Sequence, residues 1–221
     1  MRERKSSAME EYLEAIVKLE QKHGVARTYD IAESLHVTPG TVTSAVEQLE
    51  RHGLVVHVPY KGVKLTEEGR REGVSVVRRH RLAERLLTDI LNISWSRSHE
   101  IACKFEHVID DEVARAIERK LNEPATCPHG NPIPSPTGRI EQDESVPLTA
   151  LAARQKAVIV KITEERESLL RHLSSLGLLP GVEIEVQERA PMKGPILVCV
   201  SGASYALGRD VASCIFVRQK L

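Results

Sequence analysis

The chain has 221 residues, enough for one large or two modest domains, and more than one domain is expected. Apolar residues make up 41% and aromatics 3%, and 31 Lys and Arg balance 31 Asp and Glu, so overall charge gives no pull toward nucleic acid and any DNA contact must come from a local patch. No apolar run is long enough to span a bilayer, and acids interrupt the apolar residues of MRERKSSAMEEYLEAIVKLE, so neither a membrane partner nor a signal peptide is expected and the protein is assigned to the cytoplasm.

From Ser7 to Glu20, Met9, Leu13, Ile16, Val17 and Leu19 keep helical spacing, with Glu11 and Glu14 on a neighbouring face and Ser6 or Ser7 as the cap. TYDIAESL (28–35) and TVTSAVEQLER (41–51) are two further helices joined by the turn Val37-Thr38-Pro39-Gly40, a helix-turn-helix arrangement. The β-branched runs 54–58 and 63–65 flank Pro59-Tyr60-Lys61-Gly62 and predict a hairpin, the wing of a winged helix. Base contacts are expected from Thr38, Pro39, Thr41 and Ser44, and phosphate contacts from Arg27, Thr28, Tyr60, Lys61 and Lys64. Between Arg51 and Arg85 nine Lys or Arg face four acids, a local basic patch or else a solvated helix face.

Thr66 caps the next helix, which runs into HRLAERLLTDILNISWSRSHEIACKFEH (80–107), the stretch richest in chemistry. His80 and Glu84 stand at i and i+4 on one helix, and His99, Cys103, Glu106 and His107 at i, i+4, i+7 and i+8 on the next, which predicts one stripe. Imidazole, thiolate and carboxylate together suit a borderline transition ion, because Ca²⁺ or Mg²⁺ would want oxygen alone. The four cysteines (103, 127, 199 and 214) are expected as thiols, the last two in core strands.

A helix is predicted over 109–121. From Asn122 to Pro147 six prolines mark a loop and linker, within which Cys127 and His129 are either a chance pair or an auxiliary site. The remainder alternates short strands (157–162, 182–187, 196–200, 214–218) with a helix over 166–176, the pattern of a small barrel.

With these pieces in place the chain resembles the diphtheria toxin repressor family of metal-dependent transcriptional regulators, which includes the manganese transport regulators. The resemblance covers essentially the whole chain and rests on the winged helix, HRLAERLLTDI, HEIACKFEHVIDDEV, the Pro-rich linker and the small C-terminal domain. The architecture expected is mainly α: a winged helix-turn-helix (1–75), an all-α metal-binding and dimerisation domain (76–140), a linker (141–153) and a small SH3-like β-barrel (154–221).

The resemblance implies a homodimeric repressor of metal-uptake and homeostasis genes that binds a palindromic double-stranded operator when a pair of Mn(II) or Fe(II) ions is bound per subunit. It also implies the ligands. Cys103, Glu106 and His107 would join Glu11, which stands where iron-sensing members have Met, to form a primary site with Glu14 nearby. His80, Glu84 and His99 would form an ancillary site, and Cys127 and His129 an auxiliary one with Glu84 and an acid of the last domain, for which Glu164 is the candidate. Glu11 favours Mn(II) and Cys103 the softer ions. The rival reading is a metal-dependent hydrolase built on the same His, Cys and Glu set, against which stands the lack of HExxH or a nucleophile paired with a base.

Overall fold

The Ser6 hydroxyl accepts from the Met9 N–H and opens α1 (Ser7–His23), which buries Leu13, Ile16 and Val17. This is the start of a computed structural model that describes residues 6–141 and 143–220. α2 (Thr28–Leu35) and α3 (Pro39–Arg51) follow, the second opened by Thr38, whose hydroxyl accepts from the Thr41 N–H, and by Pro39 in the first turn, where a missing N–H costs nothing. Both pack on α1 through Ile31, Val42 and Leu49. β1 (Val55–Val58) and β2 (Gly62–Leu65) pair antiparallel as the wing. Its base is tied down where Ala26 and Val63 exchange backbone hydrogen bonds of 3.1 and 2.9 Å. Gly62, at φ 128°, permits this approach, since a Cβ there would stand 2.2 Å from the Ala26 carbonyl oxygen.

α4 (Glu67–Arg85) starts at Thr66, whose hydroxyl accepts from the Gly69 N–H, and ends in a π-helical turn (Leu86–Ile90). The basic patch divides: Arg51, Lys61, Lys64, Arg70 and Arg71 are exposed, whereas the later cations of α4 turn inward. Arg78, Arg79 and Arg81 are buried: Arg78 and Arg81 satisfy backbone carbonyls of the Pro-rich segment, whereas Arg79 donates to Glu10 Oε1 and to Ile109 O. Arg78 donates to Pro134 O at 2.6 Å, Arg81 to Pro132 O, and the half-buried Arg85 to Thr126 O at 2.7 Å.

The chain forms two compact units: one of residues up to Arg79 with Glu106–Asp110 and Pro134–Arg139, the other of His80–Phe105, Asp111–Ile133 and Ile140 onward. In the second unit lie α5 (Ser98–Phe105), α6 (Asp111–Lys120) and a six-stranded antiparallel sheet. Its strands are β3 (Val146–Pro147), β4 (Lys156–Ile162), β5 (Glu183–Arg189), β6 (Ile196–Val200), β7 (Ala203–Leu207) and β8 (Ile215–Gln219), in the order β3-β8-β4-β5-β6-β7. α7 (Glu167–Ser175) and α8 (Arg209–Cys214) accompany it, and Leu148, Ile159, Ile162, Leu170, Leu173 and Val198 form its core.

Two expectations are corrected. Less than half of the chain is helical, so the fold is mixed rather than mainly α. The sheet does not close into a barrel among the described residues: β3 and β7 remain edges, and β3 is two residues long with Pro147, which has no N–H to extend a ladder.

Candidate functional site

In the first unit, α1 and the turn after α5 bring carboxylates to one imidazole. α5 ends at Phe105, so Glu106 and His107 lie in a turn beyond it. The expected single stripe therefore divides: His99 and Cys103 stay on the helix in the second unit, and Glu106 and His107 belong to the first. His107 Nδ1 lies 2.7 Å from Glu10 Oε2, and Glu10 Oε1 accepts from Arg79 Nη2 at 2.7 Å. With Nδ1 so engaged, Nε2 faces Glu106 Oε1 at 3.5 Å and Glu11 Oε1 at 3.7 Å. It is buried and makes no hydrogen bond among the described residues. A buried imidazole nitrogen aimed between two carboxylates fits a divalent cation.

Glu11 is the exposed member, its side chain 53% accessible, because it lies on the one solvent-facing stripe of a helix otherwise buried over most of its circumference. Glu14 is buried and pairs with Lys18 at 3.1 Å. Glu10, which the sequence reading passed over, shares Glu14's face at i and i+4, and that spacing was the available signal.

In the second unit, α4 and α5, the 125–131 loop and the turn before α7 converge on Glu84, which is fully buried. Its Oε1 lies 3.1 Å from His80 Nε2, 3.3 Å from His99 Nδ1 and 3.2 Å from His129 Nδ1, and Oε2 has no hydrogen-bond partner among the described residues. Burial alone would raise the Glu84 carboxyl, but the facing His80 and His129 outweigh it and hold the pKa well below the usual range.

Burial works against the charged form of His129 too, yet Glu84 and then Cys127 raise it to about 11. His99 is raised to about 9, Glu165 overcoming burial. Cys103 is brought down to about 7, hydrogen bonds from His80 and His99 overcoming burial, and it lies 3.7 Å from His99 Nε2. Cys127 is pushed up by burial and by Glu84.

The donor atoms of His80, His99 and Cys103, of His80, Glu84, His99 and Glu165, and of Glu84, Cys127, His129 and Glu165 form three groups, each within 4.8 Å. The orphaned Glu84 Oε2 and the mixed N, O and S donors fit a borderline divalent ion.

The loop that carries Cys127 and His129 is pinned. Trp95 Nε1 donates to Pro128 O at 2.9 Å and His129 Nε2 donates to Trp95 O at 3.0 Å, which leaves Nδ1 toward Glu84. Gly130, at φ 86°, packs so closely that a Cβ would stand 2.0 Å from Val160 O. The acid that reaches this cluster is Glu165, not Glu164: Glu164 Oε1 accepts from Arg166 Nε at 2.9 Å on the surface. In two adjacent glutamates only the backbone direction at the end of β4 separates the one that points inward. Asn131 was also missed; its Nδ2 donates to Glu165 Oε1 at 2.8 Å.

The candidate DNA-reading residues lie at the start of α3 and on the wing. Thr38, Pro39, Thr41 and Ser44 are exposed, although Thr38 caps the helix and Ser44 Oγ donates to Gly40 O at 3.3 Å. Arg27, Thr28, Tyr60, Lys61 and Gly62 line one shallow groove, and Lys64 is exposed on β2.

Three family profiles match in chain order: "Iron dependent repressor, N-terminal DNA binding domain" over residues 5–63, "Iron dependent repressor, metal binding and dimerisation domain" over 66–135, and "FeoA domain" over 146–219. The chain is 33% identical over 222 residues to the iron-dependent repressor IdeR of Mycobacterium tuberculosis, covering 95% of this chain and 96% of that protein.

It belongs to the iron-dependent repressor family.

The diphtheria toxin repressor of Corynebacterium glutamicum is 35% identical over 221 residues, with 95% of each chain covered. Among solved structures of the family, a manganese-dependent transcriptional repressor in complex with manganese superposes with a TM-score of 0.88 at 30% identity, over 96% of this chain and all of that one. The IdeR of T. acidophilum gives 0.82 at 31% over the full length of both. As a family member the protein is a metal-dependent transcriptional repressor with a DNA-binding and a dimerisation domain, and a hydrolase has no support. No described helix is long and apolar enough to cross a membrane.

Proposed function

We propose that this protein represses metal-uptake and homeostasis genes from the cytoplasm as a homodimer on a palindromic operator, in response to Mn(II) or Fe(II) with Mn(II) favoured. The observation that carries the metal preference is the pair of carboxylates, Glu106 and Glu11, that face His107 Nε2, oxygen donors that suit a hard ion. The thiols of Cys103 and Cys127 stand in the other cluster, which therefore also accepts Fe(II).

When bound, the ion supplies positive charge for which Glu11, Glu106 and His107 share coordination. Glu11 turns from solvent toward His107, and α1 is held against the turn that carries it. α3 packs on α1, so the recognition helix is steadied with it. In the homodimer the two copies of α3 then enter successive major grooves about 34 Å apart. Thr38, Pro39, Thr41 and Ser44 offer hydroxyl and apolar contacts rather than a bidentate Arg or Asn, so readout rests on thymine methyls and DNA shape. Arg27, Thr28, Tyr60, Lys61 and Lys64 hold the phosphates and make affinity fall with salt.

The test is fluorescence anisotropy of chelator-stripped protein on its own upstream DNA, titrated with Mn(II) and with anaerobic Fe(II), beside Glu11→Met. Mn(II) should restore specific binding at lower concentration than Fe(II), and the variant should reverse that order. Equal binding to specific and scrambled DNA with either metal would overturn the reading.

A further inference from the structure

Glu20, on α1, is a buried carboxylate that belongs to neither donor cluster. Its oxygens go to two other elements: Oε1 accepts from the Leu65 N–H at 2.7 Å, at the end of β2, and Oε2 accepts from Arg70 Nη2 in the first turn of α4. Alternate residues of a strand turn their N–H groups to the same edge, so Leu65 presents its donor on the edge where Val63 exchanges two hydrogen bonds with Ala26. β1 lies along the other edge. The Glu20 side chain therefore stands where a third strand would continue the ladder. α4 is drawn in at the same place: a Cβ on Gly69 would stand 1.9 Å from Leu54 O, and one on Gly73 would stand 2.7 Å from Val17 Cγ2 and 3.0 Å from Leu13 O. Two helical glycines thus let the α4 backbone lie against the start of the wing and against α1. The Thr66 N–H and hydroxyl donate to Leu54 O and Gly53 O at 2.9 and 2.7 Å. The base of the hairpin is fixed on both strands, while Tyr60 and Lys61 at its tip are exposed.

We propose that Glu20 is a positioning residue for DNA binding: it fixes the wing to α1, the helix that carries Glu11, so that Lys61 and Lys64 are presented to the phosphates when α1 is steadied. This rests on the metal-dependent reading above. α1 is one helix from Ser7 to His23, and Glu11 and Glu20 stand about 14 Å apart along its axis at the ordinary helical rise. A rigid helix carries a restraint at one end to the other. α3 follows α1 through packed apolar side chains, and the wing follows it through Glu20. A carboxylate suits this place because both of its oxygens accept, so one side chain holds a backbone N–H and a guanidinium at once. Its burial keeps these charge-assisted bonds from being screened by salt as surface pairs are.

The experiment uses the full chain and two readouts. In hydrogen–deuterium exchange followed by mass spectrometry, adding Mn(II) to the chelator-stripped wild type should slow exchange in α1 and in residues 62–65 together, and in Glu20→Ala it should slow α1 alone. In anisotropy titrations on the upstream DNA with Mn(II) present, Glu20→Ala should lower the slope of log affinity against log salt by about 2, the loss of the phosphate contacts of Lys61 and Lys64. The same substitution added to Lys61→Ala with Lys64→Ala should lower the slope no further, because it acts through those side chains. Glu20→Gln, which keeps an acceptor for the Leu65 N–H, should restore most of the slope. A Glu20→Ala slope equal to that of the wild type, or a loss that adds to that of the lysine pair, would overturn the assignment. If Glu20→Ala fails to fold, exchange in the wild type decides. Slowing in α1 with residues 62–65 unchanged overturns the role of Glu20 and leaves the metal-dependent reading intact, whereas slowing in neither overturns that reading itself.

Discussion

The two clusters answer the same physical problem differently. In the first unit one imidazole meets an exposed carboxylate, Glu11, and the buried Glu10 is neutralised by Arg79 at 2.7 Å. In the second unit the buried carboxylate, Glu84, is faced by three imidazoles. A buried carboxylate must be matched by charge or it is expelled. The first cluster carries its own permanent cation, so it can lose metal while its scaffold stays neutralised. The second relies on protonated imidazoles, or on metal in their place. Partly exposed donors suit an ion that exchanges with its surroundings, and fully buried ones suit an ion that stays.

The contrast can be broken hardest at Glu84. Glu84→Ala removes the carboxylate that the buried His80, His99 and His129 share and should cost about 3–5 kcal/mol in the metal-free protein, read as a fall in the urea midpoint. Arg79→Ala attacks the first unit's substitute for metal and should cost about 3 kcal/mol, and added Mn(II) should recover part of it. Gly130→Ala moves the loop of Cys127 and His129 without removing a donor. With φ at 86° and a Cβ 2.0 Å from Val160 O, it should cost about 1–3 kcal/mol and weaken metal retention only in the second unit.

Glu11→Ala, on the exposed side, should change metal-free stability by no more than about 0.5 kcal/mol while raising the Mn(II) concentration needed for DNA binding. If it destabilised the metal-free protein as much as Glu84→Ala, the contrast would collapse. The smallest effect lies outside both clusters. Burial would raise the Asp143 carboxyl, but Lys161, with Nζ at 2.6 Å, and Ser145 lower its pKa. A depressed carboxyl stabilises above its unfolded pKa and loses that contribution as pH falls through the folded one. The melting-temperature gap between wild type and Asp143→Asn should thus be present near neutrality and vanish in strong acid.

Much of the fold was legible in the chain because its signals are local. Helical periodicity, the Ser6 and Thr66 caps and the Pro-Gly turn of the wing all act within a few residues, and α1 to α4 and the wing fall close to the predicted spans. β7 and α8 went unread: Ala203–Leu207 and Arg209–Cys214 are short segments of mixed polarity that gain their form from β6 and β8 beside them. Among candidate site residues, His80, Glu84 and His99 were legible as a helical pattern. Glu10, Glu165 and Asn131 were not, since each is chosen by a partner far along the chain.

By itself the sequence determined the order of elements, the winged helix and the stock of imidazole, thiolate and carboxylate donors, because propensity, capping and ligand chemistry are properties of residues and near neighbours. Tertiary structure alone decided which donors meet. It ended α5 at Phe105 and so split the expected stripe, turned Glu165 inward and Glu164 outward, buried Arg78 and Arg81 against carbonyls of the Pro-rich segment, and left the sheet open at Pro147. The physical reason is distance: coordination and charge compensation act over a few ångströms in space, and only the folded backbone fixes which residues far apart in sequence fall within that range.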